Sequence, residues 1–185
     1  MMTWIGIALM TLLSSARLAQ VLAGHLWSLP LLIHSLLAAI LLILHRKSSR
    51  DAFLFQQLVA WASALLPLFI QVINEVFLVN RLVSLAGVAL SLWGLVSLGR
   101  AFDIVPADRG LVTHGPYRFM RHPIYAGELL SVLAMVAGSI NLWNVIALFS
   151  LMAALVLRIH WEEHIINDYA RYARRVHFRL IPGVW

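Results

Sequence analysis

A chain of 185 residues that is 62% hydrophobic and only 12% charged, with a mean hydropathy of +0.86, lies far outside the range of soluble globular domains. It is long enough for one domain of ordinary size, too short for two, and its class is integral membrane. The net charge of +6 does not call for nucleic acid, because the basic residues sit beside apolar runs where anionic headgroups and the positive-inside rule explain them; cysteine is absent, which excludes disulfides, a thiol nucleophile and a thiolate metal site.

A membrane-spanning helix needs about 20 predominantly apolar residues, and the chain divides by that measure into an all-α, multi-pass transmembrane bundle of about six spans, possibly five. The first run, Thr3 to about Ala23, has no basic region ahead of it and is expected to be a true span, not a cleaved leader. It carries Arg17, a charge that so apolar a helix tolerates by facing the bundle or snorkelling. The second runs from about Leu26 to Leu44, with Pro30 in its first turns, where the missing N–H costs least. The polar loop His45–Asp51 follows. A long third span, about Ala52 to Val79, carries Pro67 as an expected kink, with Gln71, Asn74 and Glu75 marking the far interface. The fourth, about Leu82 to Leu98, places Gly87 and Gly94 on nearly one face, where small residues allow close helix packing.

Between Gly99 and His122 the chain turns polar. Two shorter apolar runs follow, Pro123 to about Gly138 and Leu142 to about Leu157, before a basic amphipathic segment to Trp185. Residues 1–98 therefore read as scaffold and 99–185 as the part that carries chemistry. Placing the 45–51 loop, the 99–122 stretch and the tail on one side puts all 14 Lys and Arg there except Arg17 and Arg81. The positive-inside rule makes that side cytoplasmic, with both termini on it.

Two segments on that side are not explained by lipid. In the first, Arg121-His122-Pro123 opens a helix. Proline at the first helical position leaves backbone N–H groups and the positive dipole end toward water, ready for a carboxylate or phosphate, with Arg121 adding charge. Tyr125 and Glu128, three apart, project to similar sides. In the second, Arg158 and Glu162 share a face if the helix continues past Leu157. Adjacent glutamates at a helix C-terminus oppose the dipole, so Glu162-Glu163 need another reason to be there. A bound carboxylate would be held by Arg158 or Arg121, whereas a bound amine would need a carboxylate such as Glu163 to attract it and take a proton. Tyr169 and Tyr172, among Arg171, Arg174 and Arg175, could lie along the headgroups or close over a pocket. His160-Trp161-Glu162-Glu163-His164 also fits the H-x-x-E-H pattern of inverted zinc peptidases; five residues in a chain with eight histidines make that pattern unspecific, and no metal is expected.

Gly115-Pro116-Tyr117, then Arg121-His122-Pro123-x-Tyr125-x-Gly127, then Glu162-Glu163, Tyr169, Tyr172, Val176 and Arg179-Leu180-Ile181-Pro182, with Leu111-Val112-Thr113 ahead of them, resemble the isoprenylcysteine carboxyl methyltransferase and phospholipid methyltransferase superfamily. The resemblance covers Gly99 to Pro182. It implies a membrane enzyme that takes S-adenosylmethionine from the cytoplasm and a lipophilic or lipid acceptor, carboxylate, amine or thiol, from the bilayer. Carried over by position, it implies that Leu111, Val112, Tyr117, His122, Tyr125 and Glu162 line the cofactor site, with Arg121 beside them, and that Arg158 meets the acceptor. Two departures stand out: Asn167-Asp168 replaces the family's common Phe-Gly, and Ala126 and Glu128 stand where many members carry bulkier residues. Glu128 also resembles the acidic position of the NADPH-dependent sterol reductases, the alternative reading.

Overall fold

The structure, a computed structural model, describes residues 2–71 and 77–185, with the side chains described from Trp4 onward. The described residues form helices α1 (Met2–Leu22), α2 (Leu29–Leu44), α3 (Leu54–Leu65), α4 (Leu78–Leu98), α5 (Pro123–Gly138), α6 (Leu142–Ile165) and the short α7 (Tyr169–Ala173), with no strand among them. Four segments are long and apolar enough to cross a membrane: Trp4–Leu22, Leu26–Leu44, Leu78–Ala101 and Leu142–Ile165. Leu54–Phe69 and Pro123–Gly138 are apolar but shorter.

The expected long third span is where sequence and structure part. Instead of a kinked helix to Val79, α3 stops at Leu65 and tightens into a 3-10 turn at Leu66–Phe69 that holds Pro67, after which Ile70 is extended. Proline cannot donate to the preceding turn and its ring crowds that turn's carbonyl, so the α ladder ends there. The expectation for Asn74 and Glu75 lies outside the described residues. Gln71, just before them, exchanges backbone hydrogen bonds with the Asn144 side chain: its N–H donates to Asn144 Oδ1 at 2.9 Å and its carbonyl accepts from Asn144 Nδ2 at 2.8 Å. The sixth helix departs in the other direction, continuing two turns past Leu157 to Ile165. That extension carries Arg158, Glu162 and Glu163 on an uninterrupted helix.

The bundle is built on the α4–α5 pair. A Cβ on Gly87 would lie 2.5 Å from the Gly127 carbonyl oxygen, and one on Gly127 would press still closer on that of Gly87. The two backbones touch where neither residue has a side chain, the close approach that small residues permit between membrane helices. On the other side of α5, Tyr125, Val132 and Val136 pack with Leu151, Leu155 and Ile159 of α6 and Leu180 of the tail. The buried positions of α6, from Asn144 through Ala147, Leu151, Leu155 and Arg158, recur at the helical period. Outward residues such as Val96, Phe149 and Ile146 are exposed, as a lipid-facing surface requires.

The loops gather at one end. The 45–52 loop pairs with the 99–110 stretch through Arg46 N–H to Arg100 O (2.8 Å), Ser49 N–H to Asp108 O (2.8 Å) and Asp108 N–H to Arg50 O (3.0 Å). The tail joins the start of α5 through Arg121 N–H to Phe178 O and His122 N–H to Arg179 O, both 2.9 Å. The Arg-His-Pro turn and the double-glutamate helix end therefore meet at the same end of the bundle.

Candidate functional site

His122 caps α5 and Pro123 occupies its first turn, so the side chains just before and inside that turn point at the C-terminal part of α6. Two environments result, one for each glutamate. Glu163 is saturated. Arg179 grips it with Nε on Oε1 and Nη2 on Oε2, both at 2.9 Å, and Arg121 Nη1 lies 3.0 Å from Oε1. His122 Nε2 and the Tyr169 hydroxyl stand at 3.5 and 3.4 Å from the same oxygen. Arg121 also donates to the Val176 and His177 carbonyls, at 2.7 and 2.9 Å, and so straps the tail to the helix start. The hydrogen bond to Glu163 raises the pKa of the Arg179 guanidinium, which stays charged throughout.

Glu162 is open by comparison. Its Oε1 accepts a hydrogen bond from the Tyr125 hydroxyl, while Oε2 has His122 Nδ1 at 3.7 Å and accepts no hydrogen bond among the described residues. Tyr125 is sandwiched: its ring stacks on His122 with centroids 5.6 Å apart and planes 5° from parallel, and the Arg158 guanidinium carbon sits 4.7 Å from its centroid. Arg158 is buried. It donates from Nη1 to Ser63 Oγ (2.8 Å) and from Nη2 to Ile104 O (2.7 Å), lies 3.9 Å from Glu162, and keeps one buried donor, Nε, without a partner.

These groups border one cavity of about 310 Å³. Of the residues singled out from sequence, Leu111, Val112, Tyr117, Arg121, His122, Tyr125, Arg158 and Glu162 all line it. Glu163, the carboxylate expected to attract an amine and take its proton, does not line it, and its carboxylate is shared by two guanidinium groups. In the H-x-x-E-H segment, His160 and His164 are exposed and their rings lie 4.3 Å apart, tilted at 48°. No group of three or more His, Asp or Glu among the described residues is disposed to hold a metal ion.

The cavity is longer than the sequence suggested. From Leu111 and Tyr117 at the loop end it passes Tyr125 and Glu128 and reaches Ser91 of α4, His34 of α2 and Arg17 of α1. Arg17, expected to be a tolerated charge, is part of its wall. Asp103 and Arg109, ion-paired with each other, line the loop end, and no motif pointed to them. Tyr169 and Tyr172 close over the cavity, the second of the two placements open to them. The Tyr172 hydroxyl donates to Tyr117 O at 2.7 Å. Burial raises the pKa of Tyr117, Tyr169 and Tyr172, helped at Tyr117 by Glu162 and at Tyr169 by Glu163, so all three are neutral phenols at ordinary pH.

Asp108 ties the loop end together. Burial works to raise its pKa, but hydrogen bonds from Ser49 Oγ (2.8 Å), Gly110 N–H (3.2 Å) and the Asn167 N–H (3.3 Å) and side chain prevail and hold it below the usual carboxylate range. Asn167 and Asp168 stand where a Phe-Gly pair is common, and Asp168 takes the left-handed conformation (φ 58°) that a glycine would favour. Aspartate is among the few side chains that tolerate it, and Asn167 gains a partner in Asp108.

Comparison with known proteins bears on the same segments. Residues 78–168 match the isoprenylcysteine carboxyl methyltransferase (ICMT) family. A Bacillus subtilis (strain 168) protein described as "Uncharacterized protein YpbQ" is 33% identical over 118 residues, which cover 55% of this chain and 69% of that protein.

Proposed function

The chain belongs to the isoprenylcysteine carboxyl methyltransferase family, a family of membrane methyltransferases, and from that premise we propose that it transfers a methyl group from S-adenosylmethionine to a lipophilic acceptor taken from the bilayer. The observation that carries the reading is the single cavity that joins a polar loop end to an apolar interior among α1, α2, α4 and α5. A soluble donor and a membrane-dissolved acceptor need such a two-ended space.

The residues at the loop end suit the donor. Its adenine would rest on Leu111 and Val112, and the free Oε2 of Glu162 suits its ammonium or ribose hydroxyls. The electron-rich ring of Tyr117 suits a sulfonium, while Tyr125, held between His122 and Arg158, offers its edge to the cavity. The donor brings an activated methyl group, and the protein's part is alignment and exclusion of water. Tyr169 and Tyr172, anchored on His122 (3.1 Å) and Tyr117, cover the site from the tail side, and the Glu163 knot holds that cover in place. The family match favours methyl transfer over the NADPH-dependent reductase chemistry that Glu128 had raised.

We further propose that this end faces the cytoplasm with both termini, that 99–185 forms the methyltransferase core and 1–98 its scaffold, and that Arg158 acts on the acceptor. The test is transfer of labelled methyl from S-adenosylmethionine into lipid extract by membranes containing the protein. Label in the lipid phase that depends on the protein and is blocked by S-adenosylhomocysteine supports the reading. Absence of transfer, together with binding of NADPH, would replace it with the reductase.

A further inference from the structure

Past Tyr125 the cavity wall holds a carboxylate that the cofactor does not need. Glu128 lies one turn further along α5, about 8 Å from the helix start at 1.5 Å per residue, and lines the membrane half of the cavity. Other polar side chains of the cavity wall have partners: His34 Nε2 and Ser91 Oγ pair at 3.0 Å, Ser131 pairs with Ser84 at 2.7 Å, Ser35 with Ser14 at 2.9 Å, and Arg17 with Gln20 at 3.4 Å. Glu128 has no hydrogen bond to any described residue. What it faces electrostatically is Arg158, on the adjacent helix, which also borders the cavity. That guanidinium is buried, with its side chain 5% exposed, and its Nε has no partner. A carboxylate inside a membrane protein without a hydrogen-bond donor is costly and marks a functional position. Here an unsatisfied acceptor and an unsatisfied cationic donor share one chamber.

We infer that Glu128 is the general base for an acceptor that arrives with a weakly acidic hydroxyl on an apolar body, and that it sets the enzyme's choice of substrate class. The inference rests on the methyltransferase reading and deepens it. A carboxylate acceptor already carries its charge and would be repelled by Glu128. An amine develops no negative charge as it loses a proton, so Arg158 would only oppose it. A hydroxyl needs both groups: its O–H proton passes to the Glu128 carboxylate while Arg158 meets the negative charge growing on oxygen. The oxygen lone pair then forms the new O–CH3 bond as the methyl–sulfur bond breaks, its electron pair staying on sulfur, which becomes a neutral thioether. The proton leaves from Glu128 to solvent when the site opens.

The experiment uses the full-length protein in detergent with three chain-matched probes: 4-dodecylphenol, dodecanoic acid and dodecylamine. Wild-type protein is expected to methylate the phenol at least tenfold faster than the acid or the amine. Glu128→Gln should bind S-adenosylhomocysteine within twofold of wild type, which shows it folded, yet lose about 100-fold in phenol turnover. It should also bind the phenol about tenfold more weakly by tryptophan fluorescence, as expected when a charged acceptor becomes neutral. Glu128→Asp should recover part of both. Preference for the acid or amine, failure to methylate the phenol, or phenol binding and turnover unchanged in Glu128→Gln would overturn the inference alone. A wild-type protein that binds no S-adenosylhomocysteine would overturn the methyltransferase reading with it.

Discussion

Glu162 and Glu163 are neighbours in the chain and opposites in their surroundings. At the junction of α5 with the tail, every strong acceptor of Glu163 is met by Arg121 or Arg179. Along the cavity wall, Glu162 keeps an oxygen free and Arg158 keeps a donor free. Buried polar groups are normally satisfied within the protein, and those that are not ask for a partner from outside. The comparison separates architecture from chemistry: saturation marks the part that holds the segments together, and unsatisfied valence marks the part that waits for ligands.

Each half of the comparison can be broken separately. The largest effect is expected at the knot. Glu163→Ala leaves the buried Arg121 guanidinium without its carboxylate and beside the partly exposed Arg179, a loss of about 3 kcal/mol, the low end for a buried pair because water screens Arg179, read as a large drop in thermal unfolding temperature. Glu162→Gln should leave that temperature nearly unchanged and weaken S-adenosylhomocysteine by about 1.5–3 kcal/mol, the range for a hydrogen bond to a charged group. If the two variants exchange these signatures, the division of labour has been assigned backwards. Smaller is the effect of Asp168→Gly, which relieves a left-handed side chain and should stabilise by up to about 1 kcal/mol, measured by denaturant titration.

The smallest is a pH effect at the loop end. The Asp108 carboxyl has a lower pKa folded than unfolded, so its contribution is complete above the ordinary carboxylate value near 4. It drains away as pH falls through the lower folded value. The unfolding temperature should therefore decline on acidification below about pH 4, with a shallower slope in Asp108→Asn. An identical slope in the variant would remove Asp108 from the account.

How much of this was legible beforehand depends on range. Helix starts follow local chemistry, so Pro123 opened α5 where expected, and Gly87 did mark a close helix contact. The Arg-His-Pro turn and the double glutamate could be brought together because each is charged where lipid offers no reward. Glu163's confinement was not legible, since it depends on Arg179 coming back along the tail, sixteen residues away. Nor was the membrane half of the cavity. His34, Ser91 and Arg17 lie on three different helices, and one apolar run looks like another until the helices are packed. The early end of α3 was half visible: proline announces a disruption, but whether a helix kinks or stops depends on what the next residues can bond to, here the Asn144 side chain.

The most direct measurement is calorimetric titration of the purified protein with S-adenosylhomocysteine, run in parallel on wild type and Glu162→Gln. The account predicts saturable one-to-one binding to wild type and an affinity lower by about 10- to 100-fold in the variant, both proteins unfolding at similar temperatures. No heat of binding from folded wild-type protein, or equal affinity in the two, would contradict it.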